Sequence, residues 1–192
     1  MTFSTRIIPV RAQPVPDEPI REAADLLLRG GVVAYPTETV YGIGGDPADS
    51  GVIKRIKELK GRNGRKTFLL LVGSRTDLRE YVEEIPETAV PLMDAFWPGP
   101  LTLVVPKNPQ LPEAVSARPT VGVRIPDHPV ARALLRLAGP MAVTSANLSG
   151  QPDPSTAQEV FTQLGGRIAM ILDGGRTPGG VPSTVVDCNC AE

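Results

Sequence analysis

What this 192-residue chain lacks excludes several chemistries at once. It has one histidine, His128, beside Asp127. A histidine-based metal centre has nothing to draw on, and a serine–histidine–aspartate triad would have to use His128. The surrounding PDHPVARALL reads as a helix start, which points to capping or packing instead. The two cysteines, Cys188 and Cys190, stand two apart near the end of the chain. That separation does not suit a strain-free disulfide, and two thiols do not complete a zinc site. No protein-bound metal is therefore expected. Aromatic residues are 4% of the chain, too few for the stacking platforms of a single-stranded RNA reader. No apolar run reaches the about 20 residues of a membrane-spanning helix. The first residues, MTFSTRIIPVRAQPVP, lack the roughly 7–15-residue apolar core of a signal peptide. A cytoplasmic protein with no membrane partner is expected. Neither G-x-x-x-x-G-K-[ST] nor G-x-G-x-x-G is present. The net charge of −1 offers no global attraction for nucleic acid.

What is present is a soluble-type composition, 41% apolar and 21% charged, rich in proline and glycine. The length suits one sizeable domain. The stretch GGVVAYPTETVYGIGGDP, residues 30–47, organises the rest. Residues 32–35 form a buried-type strand that Pro36 should end, since proline has no N–H for a sheet. Thr37, Glu38 and Thr39 then lie just past a strand end, where α/β proteins place ligand groups. Gly42, Gly44 and Gly45 read as a glycine-rich turn that permits positive φ or a close approach. Further strands are expected over 5–10, 67–72, 101–105, 121–125, 141–144 and 168–172, with part of a last one at 185–186. Helices are expected from Asp17 as cap, over 50–60, from a Ser74 cap to 82, and over 88–97, 128–137 and 156–164. Residues 101–125 hold two strands with no helix between them. The fold class is therefore α/β with a mixed rather than purely parallel sheet.

Four polar features fall at the ends of apolar elements: Thr37 and Thr39; Lys60-Gly61-Arg62, extended by Arg65 and Lys66; Ser145-Ala146-Asn147; and Arg124. Between Lys54 and Lys66 lie seven basic residues and one acid, Glu58. A lysine and an arginine flanking a glycine suit a phosphate chain, one as a point charge and the other as a two-pronged fork. Serine and asparagine one residue apart offer donors and acceptors. No paired carboxylates and no nucleophile with an adjacent base stand out. Such a site works by positioning and charge neutralisation. Each residue also has a plain structural reading. The threonines could make turn hydrogen bonds, Arg124 could be an ion-pair partner, Asn147 could be a left-handed turn residue, and the basic run could be a solvated helix face.

The motifs YPTETVYGIG, KGR (60–62), WPGPLTLV (97–104), VGVRIPDHP (121–129) and TSANLSGQPDPS (144–155) together resemble the YrdC-like family of threonylcarbamoyl-AMP synthases. The resemblance runs from about residue 17 to 187. It implies one domain over 1–192 with no second domain: a curved, twisted mixed sheet with flanking helices around a basic cavity. It also implies formation of L-threonylcarbamoyl-AMP and pyrophosphate from L-threonine, bicarbonate and ATP, with Mg2+ accompanying the ATP. The product would pass to a tRNA-modifying threonylcarbamoyl transferase. Carried onto this chain, the resemblance makes Lys60 and Arg62 catalytic. It assigns threonine to Thr39, Arg124, Ser145 and Ser183, and ATP to Lys60, Arg62, Lys66, Thr120, Asn147 and Ser155. The chain departs from the family at Thr67-Phe68 and at Leu71, where many members have a histidine near the substrate. It also ends at Glu192, where members usually continue into an arginine-containing nucleotide-binding segment. The main alternative is a double-stranded RNA or tRNA/rRNA-binding module without synthase activity. A carbamoyl-transfer domain of the hydrogenase-maturation type is a further rival.

Overall fold

The computed structural model describes residues 4–61 and 67–189. Their elements, in chain order, are β1 (Arg6–Pro9), α1 (Asp17–Leu28), β2 (Val33–Pro36), β3 (Tyr41–Gly45), α2 (Ser50–Leu59), β4 (Leu69–Leu71), α3 (Ala89–Phe96), β5 (Leu101–Pro106), β6 (Thr120–Arg124), α4 (Pro129–Ala138), β7 (Met141–Ser145), α5 (Ala157–Leu164), β8 (Met170–Asp173) and β9 (Thr184–Asp187). The strands form one nine-stranded sheet in the order β1-β8-β2-β3-β7-β4-β6-β5-β9. It is mixed, as expected: β5 and β6 pair antiparallel, while β4 and β6 pair parallel.

Both faces of the sheet are covered, which is why its central strands read as continuous apolar runs. In β2, Ala34 joins a core shared with Val52, Ile53 and Ile56 of α2, Met93 of α3 and Val160 of α5. Its neighbours Val33 and Tyr35 turn to the other face, where Ile20, Ala23, Ala24 and Leu27 of α1 meet Val130, Ala131 and Leu134 of α4. The α1 residues recur at helical spacing, so one stripe of the helix is buried and the rest stays polar.

The structure corrects three local expectations. Residues 41–45 are a strand, not a turn. The glycines are there because there is no room for side chains. A Cβ on Gly42 or Gly44 would lie 2.9 or 2.8 Å from the γ carbons of Val143, and one on Gly45 would lie 2.4 Å from Val52 Cγ1. Asp17 does not cap α1. It is the first helical residue, Pro16 precedes it, and no side chain caps this end. Asp17 and Glu18 instead place negative charge in the first turn, where the helix dipole favours it. Ser74 caps no helix either. Asp77 accepts bonds from Gly73 N, Ser74 N and Ser74 Oγ and organises a short 3₁₀ turn, Thr76–Glu80. Elsewhere the caps carry conventional chemistry: Asp49 accepts from Gly51 N and Val52 N, and Thr156 from Glu159 N.

Gly45→Ala should destabilise the fold by about 1–3 kcal/mol, because the added methyl meets Val52 in a filled core. A urea midpoint lowered at constant slope is the expected readout, and an unchanged midpoint would refute the packing argument. His128 provides a second test. Its Nδ1 accepts from Val130 N at 3.3 Å, and burial lowers its pKa from the ordinary 6.5 against the opposing charge of Asp127. The unfolded chain therefore protonates first as the pH falls. Stability is complete above about 6.5 and declines as the pH falls through the lower native value. Thermal midpoints from pH 8 to 5 should fall more steeply for the wild type than for His128→Asn, which keeps a capping acceptor. Parallel curves would exclude His128 as the source.

Candidate active site

Three loops leave neighbouring strands and converge. The Thr-Glu-Thr loop joins β2 to β3. The Ser-x-Asn segment leaves β7, which lies antiparallel beside β3 with Gly42 opposite Ser145. Arg124 ends β6, level with Leu71 of β4.

Lys60 lies at the C-terminal end of α2 and is only 4% exposed. Its Nζ donates to Asn147 O at 2.6 Å, to Asn147 Oδ1 at 2.9 Å and to Ser145 O. Ser145 Oγ donates to the same Asn147 Oδ1 at 2.6 Å, and Asn147 Nδ2 to Gln151 O at 2.5 Å. Ser149 N closes the connection by donating to Lys60 O at 2.9 Å. The lysine and the Ser-x-Asn segment are thus one structural unit, although the sequence separates them by 85 residues. Lys60, Ser145, Asn147, Ser149 and Asp153 line a polar cavity of about 290 Å3.

Arg124 lies across Ser145 from that cavity and is 3% exposed. Its Nη2 donates to Glu38 Oε2 and to Thr39 Oγ1, both at 3.2 Å. Burial lowers the arginine's pKa and Glu38 acts in the opposite direction. Thr39 Oγ1 also meets Thr37 Oγ1 at 2.8 Å, and Thr37 Oγ1 donates to Val40 O at 2.7 Å. The structural readings of Arg124 as an ion-pair partner and of Thr37 as a turn former therefore both hold. Arg124, Thr39, Leu71 and Ser145 line a small cavity of about 50 Å3. Leu71 gives it an apolar wall at the position where the family resemblance expects a histidine. Thr144 and Ser145 belong to both cavities.

The segment following β8 straps the site. Gly179 N donates to Glu38 O and Gly180 N to Thr39 O, both at 2.9 Å. Thr177 N donates to Ser155 O, which brings Ser155 into this layer. A Cβ on Gly179 would lie 2.7 Å from Glu38 O, so the two backbones meet at a point where only glycine fits. Ser183 Oγ bonds Thr102 Oγ1 at 2.7 Å. Thr102 precedes Leu103, which faces Val123, so this pair stands beside Arg124 on the adjoining strand. Thr120 is placed differently. It begins β6 while Arg124 ends it, about 13 Å away along the strand. Arg62 and Lys66, together with Arg65, lie outside the described residues.

Sequence reasoning passed over Glu38 as a site residue, although it noted the Thr-Glu-Thr triplet. The pairing with Arg124 spans 86 residues, and nothing local marks it. The basic run is not a continuous stripe over its described part. Lys54 reaches Glu58 at 4.0 Å, Arg55 donates to Gly30 O, Lys57 sits over the Phe68 ring, and Lys60 is buried. Among the described residues no group of three or more His, Cys, Asp or Glu could hold a metal ion, and no helix is long and apolar enough to cross a membrane. Cys188 is buried and free.

Sheet and site define an α/β protein with a polar cavity walled in part by a buried lysine, beside a smaller arginine-bearing one. A family model for Sua5, YciO and YrdC proteins, described as telomere recombination, matches residues 25–192. Threonylcarbamoyl-AMP synthase of Bacillus subtilis is 45% identical over 175 residues, 90% of this chain and 51% of the relative. That of Vibrio cholerae is 42% identical over 174 residues, 88% of this chain and 93% of the relative. The crystal structure of Pyrococcus abyssi Sua5 complexed with L-threonine superposes with a TM-score of 0.92 at 43% identity, covering 95% of this chain and 54% of that one. The chain belongs to the Sua5/YciO/YrdC family. It spans about half the length of the Bacillus and Pyrococcus proteins.

Lys60→Met should destabilise the protein by about 2–4 kcal/mol, because it leaves three buried oxygens of Ser145 and Asn147 without their charged donor. Equilibrium unfolding in urea measures this. A loss below about 0.5 kcal/mol would show that the ammonium has no structural role.

Proposed function

We propose that this chain acts, as one domain, as a threonylcarbamoyl-AMP synthase that forms L-threonylcarbamoyl-AMP and pyrophosphate from L-threonine, bicarbonate and ATP. The observation that carries the reading is the shared wall. The small cavity at Arg124 and the polar cavity at Lys60 adjoin across Thr144 and Ser145. An amino acid in the first and a nucleotide in the second would present reacting groups to each other at Ser145. The Pyrococcus relative was crystallised as a complex with L-threonine, which supports an amino acid as one ligand.

In this reading Arg124 takes the threonine carboxylate, the usual pairing of a guanidinium with a carboxylate. Thr39, Ser145 and Ser183 complete the amino-acid side. Lys60, Arg62, Lys66, Thr120, Asn147 and Ser155 serve the nucleotide. Lys60 contributes a buried positive charge while holding the Ser-x-Asn segment in place. The threonine ammonium loses a proton to solvent, and the resulting amine and bicarbonate form a carbamate with loss of water. A carbamate oxygen then bonds to the α-phosphorus of ATP, and the bond from that phosphorus to the β-phosphate bridging oxygen breaks, releasing pyrophosphate. Positioning and charge stabilisation carry such a step.

Mg2+ would arrive with ATP rather than reside in the protein. Asp153 and Ser149 in the polar cavity are the hard oxygen donors that this ion prefers. When bound, it would offset phosphate charge. The substrates are common metabolites of the cytoplasm, which is the location we propose. A threonylcarbamoyl transferase acting on tRNA would consume the product. Direct binding of RNA has less support, since the described part of the basic run points several ways.

Pyrophosphate release from ATP by the purified chain should require both L-threonine and bicarbonate. Arg124→Ala should raise the KM for threonine about 10–100-fold with little change in that for ATP, matching the loss of a charge-assisted contact. Release independent of threonine would overturn the reading.

A further inference from the structure

The Arg124–Glu38 pair is only half used. One guanidinium nitrogen, Nη2, serves both Glu38 Oε2 and Thr39 Oγ1. Glu38 Oε1 and Arg124 Nε are enclosed and have no hydrogen-bond partner among the described residues. A pair that only held the fold together would be expected to close the two-bond fork that arginine and carboxylate readily make. Here one acceptor and one donor are left over, on groups of opposite charge that already touch. Their side chains are only 12% and 4% exposed.

An α-amino acid carries a carboxylate and an ammonium on the same carbon. Its complement is a donor cation and an acceptor anion side by side. Among the residues that line the small cavity, Arg124 is charged and none is acidic. The Tyr35 hydroxyl is also buried and unpartnered, and burial raises its pKa so that it stays neutral. Lys60, on the far side of Ser145, is already bonded to three oxygens. An ammonium brought in beside Arg124 would meet a like charge; Glu38 lies outside the cavity lining, but its carboxylate touches Arg124 at 3.2 Å and is the acidic group that this arginine contacts among the described residues.

We propose that Glu38 recognises the α-ammonium of the amino-acid substrate through Oε1, while Arg124 takes the carboxylate. This rests on the reading that the small cavity holds an amino acid. Glu38 is then the residue that separates α-amino acids from 2-hydroxy acids, which share the carboxylate and lack the positive charge. The strap fixes its backbone through the bond from Gly179 N, so the side chain is presented from a constrained loop.

The test is calorimetric titration of the full chain with L-threonine and with 2,3-dihydroxybutanoate, in which a hydroxyl replaces the ammonium. The wild type should prefer threonine by about tenfold or more, the scale of a charge-assisted contact. Glu38→Gln should bring the two affinities within about threefold by weakening threonine while leaving the hydroxy acid equal or tighter. Equal weakening of both ligands would mean that Glu38 only props Arg124, and would overturn the proposal. An unchanged preference would overturn it as well. Glu38→Asp keeps the charge but shortens its reach, and covers the case in which Glu38→Gln does not fold. It should weaken threonine several-fold more than the hydroxy acid, and equal weakening again counts against the proposal. Failure of the wild type to bind threonine would sink the earlier reading itself, and is distinct from threonine binding that ignores Glu38.

Discussion

A buried ammonium fixes the geometry on which the site depends. Lys60 ends α2, and its Nζ reaches two backbone carbonyls and one side-chain oxygen of the Ser-x-Asn segment. An ammonium has three N–H donors and cannot leave them unmet inside a protein without a large cost. The end of α2 and the exit of β7 therefore cannot move independently. The helix is held to the sheet by Val52, Ile53 and Ile56, so the lysine transmits that rigidity to Ser145 and Asn147. The basic segment begins immediately after, beyond Gly61 at φ +60°. One side chain thus sets both the wall of the polar cavity and the position of the helix end at Gly61.

The second constraint is electrostatic and less complete. Arg124 and Glu38 are taken out of water together, and their attraction must offset the desolvation of both. The fold supports the pair on three sides: Thr39 shares Nη2, the strap holds the Glu38 backbone, and Leu71 and Val143 give apolar walls. Yet Nε and Oε1 remain unpaired. Enclosed polar atoms without partners are uncommon because each forfeits its hydration. Tyr35 OH and Thr177 Oγ1 are the other two among the described residues, one on the strand that leads into the Thr-Glu-Thr loop and one on the strap beside it. The unmet polar groups are therefore concentrated around one loop.

Much of this was legible in the sequence. Helices α1, α2, α4 and α5 declare themselves by apolar spacing, and the buried strands by runs of valine, isoleucine and leucine. Proline and glycine mark most boundaries. The failures share one cause. Gly42, Gly44 and Gly45 say "turn" to a local reading, but their reason is Val143 and Val52, which occupy the space of the missing side chains. Glu38 looks like a solvated loop tip until Arg124 arrives from 86 residues away. Asp17 and Ser74 have the chemistry of caps, but the neighbouring Pro16 and Asp77 settle the local backbone differently. Lys60 and Asn147 were both singled out, though nothing in the sequence says that they bond to each other.

That last bond changes how the lysine works. A lysine flanking a glycine and an arginine invites the picture of a free cation reaching for phosphate. Here the ammonium is already surrounded by oxygens, so moving it towards a ligand would strand the carbonyls of Ser145 and Asn147. Its charge still acts across the cavity wall, because a buried charge is screened less than an exposed one. The arrangement leaves the lysine in place, contributing field and rigidity to the cavity wall. Ser145 then becomes the pivotal residue. It borders both cavities, donates to Asn147 Oδ1, and presents its carbonyl to Lys60. Any shift of its backbone would disturb the small cavity and the polar cavity together, which ties the two halves of the site to one strand end.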